Sequence, residues 1–195
     1  MENIMGKEEA EKIGLESERL LYRPWRDEDK DMLFEEAKDE EVGPRAGWKS
    51  HKSPEDSLIV IRNILSEDNT FAIILKDTGK IIGSIGLFPS TVKELSMGEK
   101  DLEVGYWIGR GYWGNGYAPE AVRTLLSFAF LNLGAERVWC GAFEGNRNSM
   151  RVQEKCNFTF SHTEKAHIAP LDEDKIVHFR VLEKKEWESY QGKNS

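Results

Sequence analysis

No apolar run in the sequence approaches the roughly 20 residues that a membrane-spanning helix needs, so a membrane partner is not expected. Cysteine is scarce: Cys140 and Cys156 stand at a spacing that matches no metal or redox motif, and both are expected to be reduced thiols of a cytoplasmic protein. The histidines, His51, His162, His167 and His178, form no i, i+4 pair of the kind that holds zinc on a helix, so no metal is expected. Positive charge is also in short supply. The net charge of −8 opposes nucleic-acid binding, whose affinity comes from Lys and Arg displacing counterions from phosphate, and it tolerates a cationic substrate. Residues 1–14 alternate acidic and basic side chains without an apolar stretch; they read as a flexible lead-in with neither signal peptide nor lipidation signal.

A hydrophobic fraction of 39% and a charged fraction of 32% are ordinary for a folded domain, and 195 residues suffice for one with a sizeable core, assigned to residues 15–190. Ser17 to Trp25 reads as a strand, after which Asp27 can cap a helix carrying Met32, Leu33, Phe34 and Ala37 with a solvated acidic face (Glu35, Glu36, Asp39, Glu40, Glu41). A loop from Val42 to Ser53 leads to a second helix started by Ser53-Pro54. Phe71 to Lys76 and Lys80 to Phe88, joined by Asp77-Thr78-Gly79, predict an antiparallel hairpin ended by Pro89. A polar loop through Lys100 then leads to a strand from Leu102 to Ile108. Next come a glycine-rich turn and a helix from Pro119 to Leu133, with Gly134 as its cap. Val138 to Phe143, a short helix from Asn148 to Lys155, and the strands Phe158 to Ile168 and Lys175 to Leu182 close the chain. This order predicts an α/β fold of the α+β kind, a mixed sheet with helices on both faces.

The chemistry lies in the segment Gly105-Tyr106-Trp107-Ile108-Gly109-Arg110-Gly111-Tyr112-Trp113-Gly114-Asn115-Gly116-Tyr117-Ala118-Pro119-Glu120-Ala121. Glycines between a strand and a helix let successive backbone N–H groups converge on an anion at the helix N-terminus, which points to a phosphate or pyrophosphate. A loop that merely turns the chain is the plainer reading. Against it, Tyr112, Trp113 and Tyr117 are large rings that need a surface to cover, and a nucleotide-bearing ligand supplies one. Gly109-Arg110-Gly111-Tyr112-Trp113-Gly114 also matches the dinucleotide-binding pattern G-x-G-x-x-G, which makes an oxidoreductase the rival. The helix start and the next acidic strand end fall too late for it. No lysine follows the glycines as a P-loop requires.

Trp113-Gly114-Asn115-Gly116-Tyr117-Ala118 resembles motif A of the GNAT (Gcn5-related N-acetyltransferase) superfamily, Q/R-x-x-G-x-G/A; Gly116 and Ala118 match, and Trp113 departs. A second block, Asn146-Arg147-Asn148-Ser149-Met150-Arg151-Val152-Gln153-Glu154-Lys155-Cys156-Asn157-Phe158, is similar to the N-x-x-S-x-x-V-x-E-K-x-G-F of the branch that holds the ribosomal-protein-alanine N-acetyltransferases. Asn157 replaces its glycine, a mild change because Asn tolerates the left-handed conformation. The resemblance runs from about Glu16 to Leu182. It implies the GNAT fold, acetyl-CoA as donor, and an amine acceptor that is a protein N-terminus or a small molecule. A non-catalytic CoA-binding or sensing module is the alternative, and a homodimer is compatible with the common symmetry of assemblies.

An amine with a pKa of about 10.4 must lose a proton before it can attack a thioester. Strand alternation puts Glu103, Gly105 and Trp107 on one face and Val104, Tyr106 and Ile108 on the other. The resemblance suggests an acidic residue near this strand as base, which makes Glu103 either that base or an ordinary strand-end carboxylate; His51 is a minor alternative. The resemblance also assigns the thioester oxygen and the pantetheine arm to backbone of Val104, Tyr106, Trp107 and Ile108, with a bulge favoured at Gly105. By the same token the phosphates fall to Gly111, Tyr112, Trp113, Gly114, Asn115, Gly116, Tyr117 and Ala118. Asn146 would contact pantetheine and Ser149 the thiol, although Asn146 or Asn148 can equally cap the helix. That helix has no tyrosine to protonate the thiolate. Trp48 reads as a lid over the amine or as a plug for the core; Trp139 and Phe158 read as core.

Overall fold

A computed structural model describes residues 14–89 and 100–192. The lead-in expected over residues 1–14 therefore lies outside it except for Gly14, as does most of the polar loop before Lys100. Seven strands form one mixed sheet: β1 (Leu20–Pro24), β2 (Thr70–Leu75), β3 (Ile81–Pro89), β4 (Asp101–Ile108), β5 (Arg137–Phe143), β6 (Thr159–Ile168) and β7 (Glu173–Glu183). Their order across the sheet is β1-β2-β3-β4-β5-β7-β6, so β7 lies between β5 and β6 and β6 becomes an edge.

The helices are α1 (Lys30–Ala37), α2 (Gly43–Ala46), α3 (Pro54–Val60, continued by a π-helical turn Ile61–Leu65), α4 (Tyr117–Leu131), α5 (Arg147–Lys155) and α6 (Lys184–Gln191). β2 is buried at every position, the pattern of a strand covered on both faces. On one face Leu33, Ala37 and Ile61 pack with Trp25, Ala72, Ile74 and Ile81. On the other, Ala121, Val122, Leu125 and Phe128 of α4 pack on Phe71, Ile73, Ile82 and Ile85. Helices thus cover both faces, as the element order predicts.

Several local expectations change. Asp27 does not cap α1; it lies in a 3-10 turn, Asp27–Asp29, and its carboxylate meets Arg62 at 2.7 Å. The residue that organises this turn is the buried Asp29, which accepts from the Arg26 N–H and from both Arg23 guanidinium nitrogens at 2.6 and 2.7 Å. The acidic face of α1 is not wholly solvated, since Glu36 is half-buried against Gly109, where a Cβ would overlap its carboxylate. Burial first, and then Glu35 and Asp39, push the Glu36 carboxyl above the ordinary range. α4 begins at Tyr117, earlier than Pro119 marks. A proline in the first turn is tolerated because N–H groups there have no intrahelical partner to lose. Ser53 caps α3 by accepting from the Asp56 N–H, Gly134 is left-handed after α4, and Asn157 takes φ 64°. α2 and α6 were not read from the sequence.

Candidate active site

β4 determines the site. Along its β3 edge the antiparallel register runs without interruption from Gly83↔Ile108 to Pro89↔Leu102, so the bulge expected at Gly105 does not form. Along its β5 edge the parallel register holds only from Asp101↔Arg137 to Glu103↔Trp139, after which the strands separate. The closed end is pinned by Asp101, buried, which accepts from Arg137 Nε at 3.0 Å and Trp139 Nε1 at 3.2 Å. Glu103 occupies the last paired position, at the fork.

Beyond the fork opens a cavity of about 640 Å³. The residues of β4 from Glu103 to Ile108 line it, as do Tyr112, Trp113, Gly114, Gly116, Tyr117 and Ala118 of the turn and Asn146 and Ser149 of α5. Gly111 and Asn115 do not line it. Asn115 instead holds the turn from within, donating from Nδ2 to the Tyr112 and Trp113 carbonyls at 3.1 Å. Trp113 has the same kind of role, its indole N–H donating to the Ile108 carbonyl at 2.7 Å across the turn. Gly114 and Gly116 have φ of 79° and 81°, a region costly for residues with a Cβ, and Gly116 is the N-cap of α4. The free donors of the first helical turn and the positive end of the dipole therefore face an anion that reaches the turn.

A clamp holds the turn from outside. Arg19, just before β1, pairs with Glu120 at 2.6 Å, donates to the Asn115 carbonyl at 3.0 Å and lies 4.6 Å over the Tyr117 ring. Burial works against ionisation of Glu120, but bonds from the Arg19 N–H, Ser17 and the Arg19 guanidinium outweigh it and leave its pKa lowered.

On α5, Asn146 accepts from the Ser149 N–H at 3.3 Å, so it is the cap, and it also donates to the Arg45 carbonyl of α2 at 3.3 Å. Ser149 Oγ stands 3.1 Å from the Tyr106 hydroxyl. The tyrosine missing from α5 is thus delivered by β4, a contact across 43 positions for which the sequence carries no signal. Burial pushes the pKa of Tyr106 well above the ordinary value. Cys140, also in the wall, is pushed up first by burial and then by Glu103; Cys156 is pushed up to about 11 by burial.

Other expected residues lie elsewhere. His51 does not line the cavity; its Nδ1 lies 2.8 Å from Ser57 Oγ, and burial lowers its pKa. Trp48 packs against His51 and, edge-on at 5.8 Å, against Trp107, so it fills the second cluster. Trp139 and Phe158 are core. Sequence reasoning missed Glu164 and Ala166 of β6, Val177 and Phe179 of β7, and Arg151 and Lys155 of α5, all in the wall. Among the described residues no group of three or more His, Cys, Asp or Glu is arranged to hold a metal ion, and no helix is long and apolar enough to cross a membrane.

The acetyltransferase (GNAT) domain family matches this chain over residues 19–159. The uncharacterized N-acetyltransferase p20 of Bacillus licheniformis is 29% identical over 149 residues, covering 74% of this chain and 81% of that protein. Among solved structures, an acetyltransferase (GNAT family) from Bacillus anthracis superposes with a TM-score of 0.77 at 23% identity, over 88% of this chain and 99% of the other. The spermidine N-acetyltransferase of Vibrio cholerae, in complex with CoA and spermine, has a TM-score of 0.70 at 13% identity, over 88% and 99%. At these identities the structural likenesses establish the fold.

Proposed function

The chain belongs to the acetyltransferase (GNAT) family, and from that premise we propose that it transfers an acetyl group from acetyl-CoA to a primary amine by direct attack of the amine on the thioester. The observation that carries this reading is the fork in β4, which joins the anion-directed turn, an unpaired strand edge and a carboxylate in one cavity. The residues fit the donor: the turn around Gly114 and Gly116 suits its pyrophosphate, with Arg151 and Lys155 adding positive charge nearby. The released edge from Val104 to Ile108 offers the backbone groups that β5 does not use, to the pantetheine arm and to the oxygen that gains charge during attack. Asn146 lies along the same path.

Glu103 takes the proton of the attacking amine, directly or through water. The departing thiolate receives a proton from the pair of hydroxyls of Tyr106 and Ser149. Burial raises the pKa of Tyr106 above the ordinary value, so its hydroxyl carries its proton at neutral pH. The dinucleotide reading lacks the packing it needs: a Cβ at Gly114 would meet nothing within 4 Å, whereas the third glycine of that motif lies where helix meets strand.

Thermal melts with CoA and with NAD test the donor, and release of thiol from acetyl-CoA across N-terminal peptides, polyamines, aminoglycosides and amino acids tests the reaction. Stabilisation by CoA, about 2.7 kcal/mol at 100 times its dissociation constant, and its loss in Gly116→Val are expected. A shift with NAD alone overturns the reading. Binding of CoA with no turnover of any amine makes the chain a binding module.

A further inference from the structure

We propose that Glu164 receives a second positive charge on the acceptor, so that the favoured substrates are amines carrying another cationic group joined by an apolar spacer. The proposal rests on the acyl-transfer reading above.

Side chains of a strand alternate between faces, and a slip of one residue exchanges them. β6 pairs Phe160 with Arg180 but His162 with Phe179, so Ser161 is an extra residue in the ladder. The bulge shifts the phase of everything after it: Glu164 comes opposite Val177, and Glu164, Ala166 and Ile168 join Val177 and Phe179 in the cavity wall. Were Ser161 instead paired with Phe179 in a regular ladder, Glu164 would fall opposite Ile176 and the opposite set would face inward. Bulges re-aim side chains in this way beside functional sites.

The carboxylate so delivered is only 28% exposed, and among the described residues the basic side chain nearest to it is His162, with Nε2 at 3.9 Å. The His162 ring is itself fixed, stacked on Phe179 at 5.2 Å and set edge-on to Trp139. Elsewhere in the wall Arg45 meets Glu41 at 2.6 Å and His167 Nδ1 lies 3.1 Å from Asp174, while Arg151 and Lys155 stand on α5. A partly shielded carboxylate that faces the cavity without a close cationic partner is one that a ligand cation can pair with.

Glu103 lies in register with Trp139 and Val181, whereas Glu164 lies opposite Val177, so the two are three strand spacings apart across the sheet and four residues apart along it, about 20 Å between backbones, with both side chains lining the cavity between. Between them stand Gly141, Phe143, Val177 and Phe179, which suit methylenes rather than polar groups. An amine that reacts near Glu103 can therefore extend across this wall and end in a charge at Glu164. A linear polyamine and a peptide N-terminus followed by Lys or Arg share that chemistry.

The test uses the full chain, wild type and Glu164→Gln, with matched acceptors. One arm compares a linear diamine or triamine with a monoamine of equal length; the other compares Ala-initiated peptides bearing lysine or norleucine a few residues on. The wild type should prefer the dicationic member of at least one pair by about tenfold or more in kcat/KM, the scale of one charge-assisted hydrogen bond. Glu164→Gln should abolish the preference, raising KM for the dicationic acceptor about tenfold more than for the monocationic one. The arm that shows the preference identifies the source. Calorimetric binding of the same amines to the CoA-loaded protein reads the effect without turnover, so a chain that binds CoA but proves inactive still tests Glu164. Equal preference in wild type and variant, in both kinetics and binding, overturns the proposal while leaving the acyl-transfer reading intact.

Discussion

The two ends of the β4–β5 pairing use the same backbone for opposite purposes. From Asp101 to Glu103 the strands share hydrogen bonds and a buried carboxylate pins them; from Val104 onward β4 keeps its β3 neighbour and gives up its β5 neighbour. Leaving strand groups unpaired is costly inside a protein, because each is an obligatory donor or acceptor. The closed end and the intact β3 edge supply the rigidity that lets the open end persist. A binding edge can thus be made from regular structure by stopping a ladder early.

Mutations can separate these roles. Glu103→Gln, at the fork, should lower kcat/KM near neutral pH by about 10² to 10⁴, the usual worth of a general base, with CoA affinity unchanged. The deficit should narrow as pH approaches the pKa of the acceptor amine. A variant with wild-type rates across pH would make Glu103 a structural member of the closed end and erase the distinction.

Asp101→Ala tests the other side of the fork. It strips Trp139 Nε1 and Arg137 of their buried acceptor and should cost about 3 kcal/mol of unfolding free energy, the low end for such a pair because Arg137 keeps access to water. Chemical denaturation measures it. The fork should also loosen, so a stable protein with undiminished CoA affinity would show that the open end does not depend on its closed neighbour.

Tyr106→Phe should reduce kcat by about tenfold, a modest share of what proton transfer supplies, and Ser149→Ala by less. The raised pKa of Tyr106 places loss of its proton above the assay range. Its contribution should therefore be constant from pH 7 to 9, and a rate that falls through that window with wild-type enzyme but not with Tyr106→Phe would contradict the assignment.

The smallest effect belongs to the clamp. Because the Glu120 carboxyl has a lowered folded pKa, its contribution is present above the unfolded value near 4.5 and disappears as pH falls through the folded one. Glu120→Gln should cost about 1 kcal/mol at pH 7 and less at pH 2, as thermal melts at the two pH values would show. An equal cost at both would mean that shape, not charge, holds the turn.

Features set by neighbours in the chain were legible in the sequence. Asp77-Thr78-Gly79 announces the hairpin, Ser53 its helix, and Asn157 the left-handed position that it takes. The turn and the α5 block were found for the same reason, as local patterns of residue type. What could not be read depends on partners far away. The insertion of β7 between β5 and β6 is decided by which edge each strand finds, and the meeting of Tyr106 with Ser149 by the distance between β4 and α5. Glu164 was hidden for a different reason: Ser161 breaks the alternation that would have revealed which face it takes. Pro119 misled because a first-turn proline fits more than one helical position.

The clamp between Arg19 and Glu120 also bears on how the protein acquires its binding capacity. Its partners are separated by 101 positions, and closing a loop of that length costs about 4 kcal/mol in chain entropy beyond the fixed term. One exposed ion pair cannot supply that. The contact therefore follows the assembly of β1 to β3 and α4 rather than guiding it, and the turn gains its final shape only when the chain through α4 is in place. The capacity to hold the donor is thus a late product of folding, carried by no fragment of the sheet alone.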